Sequence, residues 1–194
     1  MTAQANHPLP LEKGGPGRDL YKYFIKLKSI LGRLIPKTEM ICIKLKDYPA
    51  LTDGEIEISI REKRPAGFHK GWVPFYDFAV RLAGKPEQIG HIALRIGNTN
   101  DLKMYAGHIG YRIEEKYRGH HYAAKACGLV KPVALDYGLE TLWITCNPDN
   151  YPSRRTCEVL GCEFIEIVDL PEDNDMYKEG ERQKCRYRWD LIKV

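Results

Sequence analysis

The sequence predicts an α/β (α+β) domain: a mixed, mostly antiparallel twisted sheet of about six or seven strands with helices on both faces, preceded by an N-terminal helix. Three observations lead there. Period-two segments bounded by turn residues crowd the first half of the chain, such segments alternate with helical spacing after Ile113, and a separate helical period precedes them all. With 43% hydrophobic and 29% charged residues over 194 positions, the chain has enough apolar side chains for a sizeable core.

The front of the chain is set apart by its charge. Residues 1–39 hold seven basic residues (Lys13, Arg18, Lys22, Lys26, Lys28, Arg33, Lys37) against three acidic ones (Glu12, Asp19, Glu39), which leaves 23 of each sign from Met40 onward. The net charge of +4 therefore belongs to this segment, and residues 40–194 carry no net attraction for nucleic acid or anionic lipid. Residues 1–18, with Gly14, Gly15, Pro16 and Gly17 in succession, read as a flexible leader. From Asp19, a suitable N-cap, Leu20, Phe24, Leu27, Leu31 and Leu34 recur at helical spacing up to Pro36, with Lys22, Lys26, Ser29 and Arg33 opposite. Such a basic amphipathic helix either lies on a membrane surface or a partner, or docks on the core or on a dimer mate with its lysines in water.

From Met40 the strand candidates follow in order. Residues 55–60 alternate polar and apolar, and residues 75–82 and 88–96 flank the Gly84-Lys85-Pro86 turn, so these read as neighbouring antiparallel strands. Residues 107–113 form another, with Ile109, Tyr111 and Ile113 on one face and His108, Gly110 and Arg112 on the other. The rhythm then turns helical from about Tyr122 to Gly138, a suitable terminating glycine, with Pro132 removing one internal bond. A strand over 142–146, a short helix over 153–160 closed by Gly161, and strands over 163–168 and 184–192 complete the chain.

Several function classes fall away. No apolar stretch reaches the roughly 18 uncharged residues of a membrane span, and residues 1–10 lack the basic and apolar regions of a secretory signal, so a cytoplasmic protein is expected. The six cysteines (Cys42, Cys127, Cys146, Cys157, Cys162, Cys185) form no CxxC pair and have no partnering histidine spacing, so buried reduced thiols are expected and no metal.

Chemistry concentrates in Glu114-Glu115-Lys116-Tyr117-Arg118-Gly119-His120-His121-Tyr122-Ala123-Ala124, which joins a strand to a helix through Arg and Gly. A turn of this kind directs unpaired N–H groups and the positive end of the helix dipole to one point, where a phosphate oxygen can accept from them. Arg118 adds a charged donor. About 30 residues on, the chain reads Asn147-Pro148-Asp149-Asn150-Tyr151-Pro152-Ser153-Arg154-Arg155, then Val159-Leu160-Gly161-Cys162-Glu163-Phe164.

These two segments resemble the fingerprints of the GNAT superfamily of acyl-CoA-dependent N-acyltransferases: Arg/Gln-x-x-Gly-x-Gly/Ala after a strand, then an Asn and a short helix ending in Leu-Gly and an aromatic residue. Arg118 and Ala123 match the first and last positions of the first fingerprint. The Gly-Tyr-Arg-Ile strand and the Asn-x-x-Ser-Arg-Arg helix are most similar to the branch that acetylates ribosomal-protein N-termini. The resemblance implies that residues 40–194 form an N-acetyltransferase domain with acetyl-CoA as cosubstrate. On that implication Arg118, Gly119, His120, His121, Tyr122 and Ala123 hold the pyrophosphate, the pantetheine lies in a splay between strands 107–113 and 142–146, where Tyr111 and Ile113 offer it backbone bonds, and Asn150 and Ser153 line the far side.

Two positions depart from the fingerprints. His121 stands where the family has its inner glycine, and either adds a donor to the phosphates or crowds them. Cys157 stands four residues after Ser153, where many members have a tyrosine that protonates the departing thiolate; it is either that acid or core packing. For the base that frees the amine, the candidates are His108, Glu114 and Glu115, each with a structural alternative as a bonded strand histidine or an exposed turn carboxylate. The acidic loop Glu172-Asp173-Asn174-Asp175, with Tyr177, attracts a cationic amine or is a solvated loop.

The acceptor implied is a primary amine, on a protein N-terminus or on a small molecule such as a polyamine, aminoglycoside or amino sugar. A regulatory module that binds acyl-CoA without turnover is the alternative from another class. A membrane or nucleic-acid adaptor acting through residues 19–37 is the third, and the neutral balance of residues 40–194 argues against nucleic acid as a partner of that part.

Overall fold

Alternation decides which face of each strand is buried. The computed structural model describes residues 43–67 and 72–192; the predicted leader and basic helix of residues 1–39, and Cys42, lie outside the described residues. Strands β1 (Leu51–Thr52), β2 (Ile56–Arg64), β3 (Phe75–Leu82), β4 (Gln88–Arg95) and β5 (Ile109–Ile113) pair in sequence order as one antiparallel sheet. Ile56 and Ile58 of β2, Tyr76, Phe78 and Val80 of β3, and Ile92 and Leu94 of β4 are buried, each worth about 1.5–3 kcal/mol in water-excluded apolar surface. Helix α1 (Tyr122–Asp136) packs on β2, β4 and β5 through Ala126, Cys127, Val130, Val133 and Ala134. Its small residues let helix and sheet approach closely, and Gly138 ends it at a φ of +73°.

A second sheet holds β6 (Thr141–Cys146), β7 (Glu163–Asp169) and β8 (Gln183–Asp190) in the order β6-β8-β7, also antiparallel. Helix α2 (Tyr151–Val159) packs on β6 and α1, and a short helix α3 (Asp175–Lys178) interrupts the connection between β7 and β8. Every expected strand is present, but the single expected sheet is two. No ladder joins β5 to β6, because those strands meet at one end and part at the other.

Boundaries differ where side-chain pattern is not what sets them. β2 runs four residues past its predicted end because Glu62, Lys63 and Arg64 continue the ladder with β3 beyond a bulge at Ile60/Glu62. β5 starts at Ile109 rather than 107: a π-type turn over Leu102–Ala106 precedes it, and Gly107 takes a φ of +69°. α2 begins at Tyr151, two residues early, since the Asn150 side chain accepts the Ser153 N–H at 3.1 Å and Pro152 suits a first turn. The five described cysteines are free thiols, all but Cys162 buried. Among the described residues no helix is long and apolar enough to cross a membrane.

Candidate active site

The strand–helix–strand unit β5, α1, β6 sets β6 beside β5, and His108 joins the two. Its backbone N–H donates to Trp143 O at 2.6 Å, while its ring Nδ1 accepts the Trp143 N–H at 2.9 Å. Nε2 lies 2.9 Å from Gly97 O, a pure acceptor, so the proton sits on Nε2 and the imidazole is neutral. The side chain is fully buried, and burial pushes its pKa below the usual histidine range. Gly107 completes the joint: at its φ of +69° a Cβ would be strained and would stand 3.1 Å from Thr145 N and 3.2 Å from Trp143 O, so glycine suits this approach.

Past that joint the strands part around a cleft of about 800 Å³. Its outer end is the turn before α1. Gly119 takes a φ of +89°, and His121 is the one non-glycine among the described residues at positive φ, at 58° with ψ 20°. This is the left-handed conformation that a glycine would adopt without strain. No side chain caps α1, so the N–H groups of its first turn and the positive end of its dipole face the cleft unpaired by side chains. Arg118 is exposed beside them, its Nε donating to Ile113 O at 3.2 Å, which turns the guanidinium toward the same opening. The donor set suits a pyrophosphate.

On the far wall, the Tyr111 and Ser153 hydroxyls lie 2.9 Å apart. Burial pushes the Tyr111 phenol well above its usual range, so it holds its proton. At the inner end, Asn147 Nδ2 donates to Glu181 at 3.2 Å, Lys184 Nζ donates to Asn147 Oδ1 at 2.7 Å, and Lys184 pairs with Glu181. Lys184 is buried, and this ring of bonds satisfies its charge. Cys146 also lines the cleft, its thiol pushed up to about 11 by burial.

Of the predicted cosubstrate residues, Tyr111, Ile113, Arg118, Gly119, His121, Tyr122, Ala123, Asn150 and Ser153 all line this cleft. His120 does not: it is exposed and stacks on Tyr122, ring centroids 5.3 Å apart. Of the candidates for catalysis, none lines it. His108 is the buried joint, Glu114 and Glu115 are exposed at the end of β5, and Cys157 is fully buried against Cys162, which together with burial pushes its thiol far up. Sequence reasoning missed Asn147, Glu181 and Lys184. Asn147 stood inside a quoted motif, but Glu181 and Lys184 come from a charged segment with no spacing to single them out.

A search of curated proteins finds no relative by sequence. Among solved structures, the chain resembles a Vibrio cholerae protein provisionally assigned as a ribosomal-protein-serine acetyltransferase, at 14% identity and a TM-score of 0.54 over 75% of this chain and 99% of that one. It also resembles a Chromobacterium violaceum protein assigned to the GNAT family, at 12% identity and a TM-score of 0.52 over 81% and 96%. A GNAT acetyltransferase from Bacillus anthracis aligns at 23% identity and a TM-score of 0.46 over 59% and 66%. The two likenesses above 0.5 concern the fold. The profile of the Acetyltransferase (GNAT) domain matches residues 44–163, from the segment before β1 to the start of β7. With that match over more than half of its length, the chain belongs to the GNAT acetyltransferase family.

Proposed function

We propose that the protein is an acetyl-CoA-dependent N-acetyltransferase that acetylates a primary amine, with residues 40–194 as the catalytic domain and residues 1–39 as an appended leader and helix. The observation that carries this reading is the uncapped start of α1 beside Arg118 at the mouth of a cleft between two parted strands. Such a set of donors holds the pyrophosphate of a CoA ester. The open edges of β5 and β6 hold its pantetheine by backbone bonds, as the family resemblance implies.

The reaction forms a nitrogen–carbon bond and breaks the thioester carbon–sulfur bond; the amine loses a proton and the sulfur gains one. Glu181 is the one carboxylate among the described residues lining the cleft, and we assign it to take the amine proton, its position held by Asn147 and Lys184. The Tyr111–Ser153 hydroxyl pair is the proton source for sulfur: it lines the cleft, and burial keeps the phenol in its protonated form until the thiolate departs. Free N–H groups along β5 face the oxyanion. His108 has no part in proton transfer because both its nitrogens are occupied.

The test is thiol release from acetyl-CoA over an amine panel, with calorimetry of CoA binding. Release with at least one amine, and its loss in Glu181→Gln with CoA binding intact, supports the reading. Tight CoA binding without turnover on any amine would replace it with a regulatory binding module.

A further inference from the structure

A second cavity, of about 770 Å³, lies beside β4, the partner strand of β5. The ends of β2, β3 and β4, the π-type turn and the loop before α3 enclose it. Its wall adjoins the first cleft: Ala93 lines it from β4, and Ala93 pairs with Gly110 of β5, which lines the cleft.

At this boundary stands Arg95. Its Nη1 and Nη2 lie 3.6 and 3.8 Å from the point where a Cβ on Gly110 would be, so the guanidinium lies over a residue of the cleft. It is partly buried, and burial pushes its pKa down. Its bonds among the described residues are two long ones, from Nη1 to Gly107 O at 3.3 Å and to Ala106 O at 3.5 Å. No carboxylate of the described residues stands within salt-bridge distance of it; Asp101, in the same cavity, acts on it only from farther off.

Arg186 gives the measure of what is missing. It is the more deeply buried of the two, but its guanidinium pairs with Glu166, donates to Lys103 O at 2.9 Å and stacks on the Trp143 ring. Arg64, which shares the second cavity, is taken up by Glu62 and lies over the Phe75 ring. Of these three, Arg95 is the partly desolvated cation with most of its five donors directed to no anion. A planar fork of this kind matches a carboxylate in two parallel bonds.

The rest of the cavity defines what carries that carboxylate. Phe75, Tyr105 and Met176 offer apolar surface, and the exposed Asp101, Asp173 and Asp175 place negative charge along its lining, which draws a cationic amine.

We propose that the second cavity holds the acceptor and that Arg95 binds its carboxylate, so that the substrate is an α-amino acid with an apolar or aromatic side chain. This rests on the acetyltransferase reading above. In the full chain, thiol release from acetyl-CoA is measured with L-phenylalanine and with 2-phenylethylamine, which lacks only the carboxylate. The wild type is expected to favour phenylalanine by about tenfold or more in kcat/KM, the scale of one lost charged partner. Arg95→Gln is expected to raise the KM for phenylalanine by about tenfold and to leave that for phenylethylamine within about threefold, with Arg95→Lys between.

Equal use of both amines by the wild type overturns the proposal. So does an equal loss on both in Arg95→Gln, which would assign Arg95 to holding the Ala106 and Gly107 carbonyls. If neither amine turns over, calorimetry of N-acetyl-L-phenylalanine on the protein with CoA decides: binding that Arg95→Gln abolishes supports the proposal, and no binding overturns it. CoA bound without any preference for carboxylate sinks the Arg95 assignment alone, whereas absence of CoA binding sinks the acetyltransferase reading with it.

Discussion

The two cavities, one along β5 and one beside β4, are built by different means. The first is made of backbone: parted strand edges, an uncapped helix start, and two residues in left-handed conformation at Gly119 and His121. The second is made of side chains from distant segments, with Arg95, Phe75 and Met176 brought together only by the tertiary fold. A backbone site has local rules, so its residues occur in a fixed order at fixed spacing. A side-chain site has none, and its chemistry is free to change while the strands stay in place.

The sharpest way to break this contrast is at the joint that holds the first cleft open. His108→Ala strands the Trp143 N–H and the Gly97 carbonyl in the interior and leaves a void, and should lower unfolding stability by about 3 kcal/mol, read from urea titration. Gly107→Ala forces a side chain against the β6 backbone at a positive φ and should cost about 2 kcal/mol by the same measurement. If either is neutral, the joint is not what sets the cleft.

The next effect concerns the mouth. Arg118→Ala removes one charged donor and should weaken CoA binding by about tenfold or more in calorimetry, with stability unchanged. An unchanged affinity would leave the phosphate to the helix start alone.

A pH effect follows from His108. Its folded pKa is depressed, so the unfolded chain takes up a proton at higher pH than the folded one does. Stability from this residue is full above about pH 6.5 and is lost as the pH falls from there toward the depressed value. The urea midpoint should drop over that window in the wild type, and His108→Phe should flatten the drop.

The smallest effect is at His121. Replacement by glycine relieves the left-handed strain but loosens the unfolded chain, so stability should stay within about 1 kcal/mol. CoA affinity then tells which role the side chain has: a loss marks a contact with phosphate, a gain marks crowding.

Most strands and both longer helices were legible because hydrophobic period and turn residues are local. Ile56, Ile58, Phe78 and Ile92 announce their buried faces by alternation alone. The break between β5 and β6 was not legible in the hydrophobic period, which does not distinguish a strand paired on both sides from one paired on one side; the parting of these two strands was implied by the family resemblance alone. His108 illustrates the same limit. In sequence it is a polar residue on the solvent-like face of a strand, and only the arrival of Trp143 from 35 residues on makes it a buried link. Glu181 and Lys184 look like any charged loop until the fold brings Asn147 between them.

The open flanks of β5 and β6 carry one more consequence. Each is the outermost strand of its sheet, so two rows of unmatched amides and carbonyls confront each other across the cleft. Proteins elsewhere blunt such rims with charge, bulges or a covering helix, because a bare rim recruits strands from other molecules. Here the elongated, amide-bearing arm of a CoA ester would serve as the missing strand. Solubility and resistance to self-association should therefore rise with the cofactor in solution, and amide exchange along β5 and β6 should slow together when it is added.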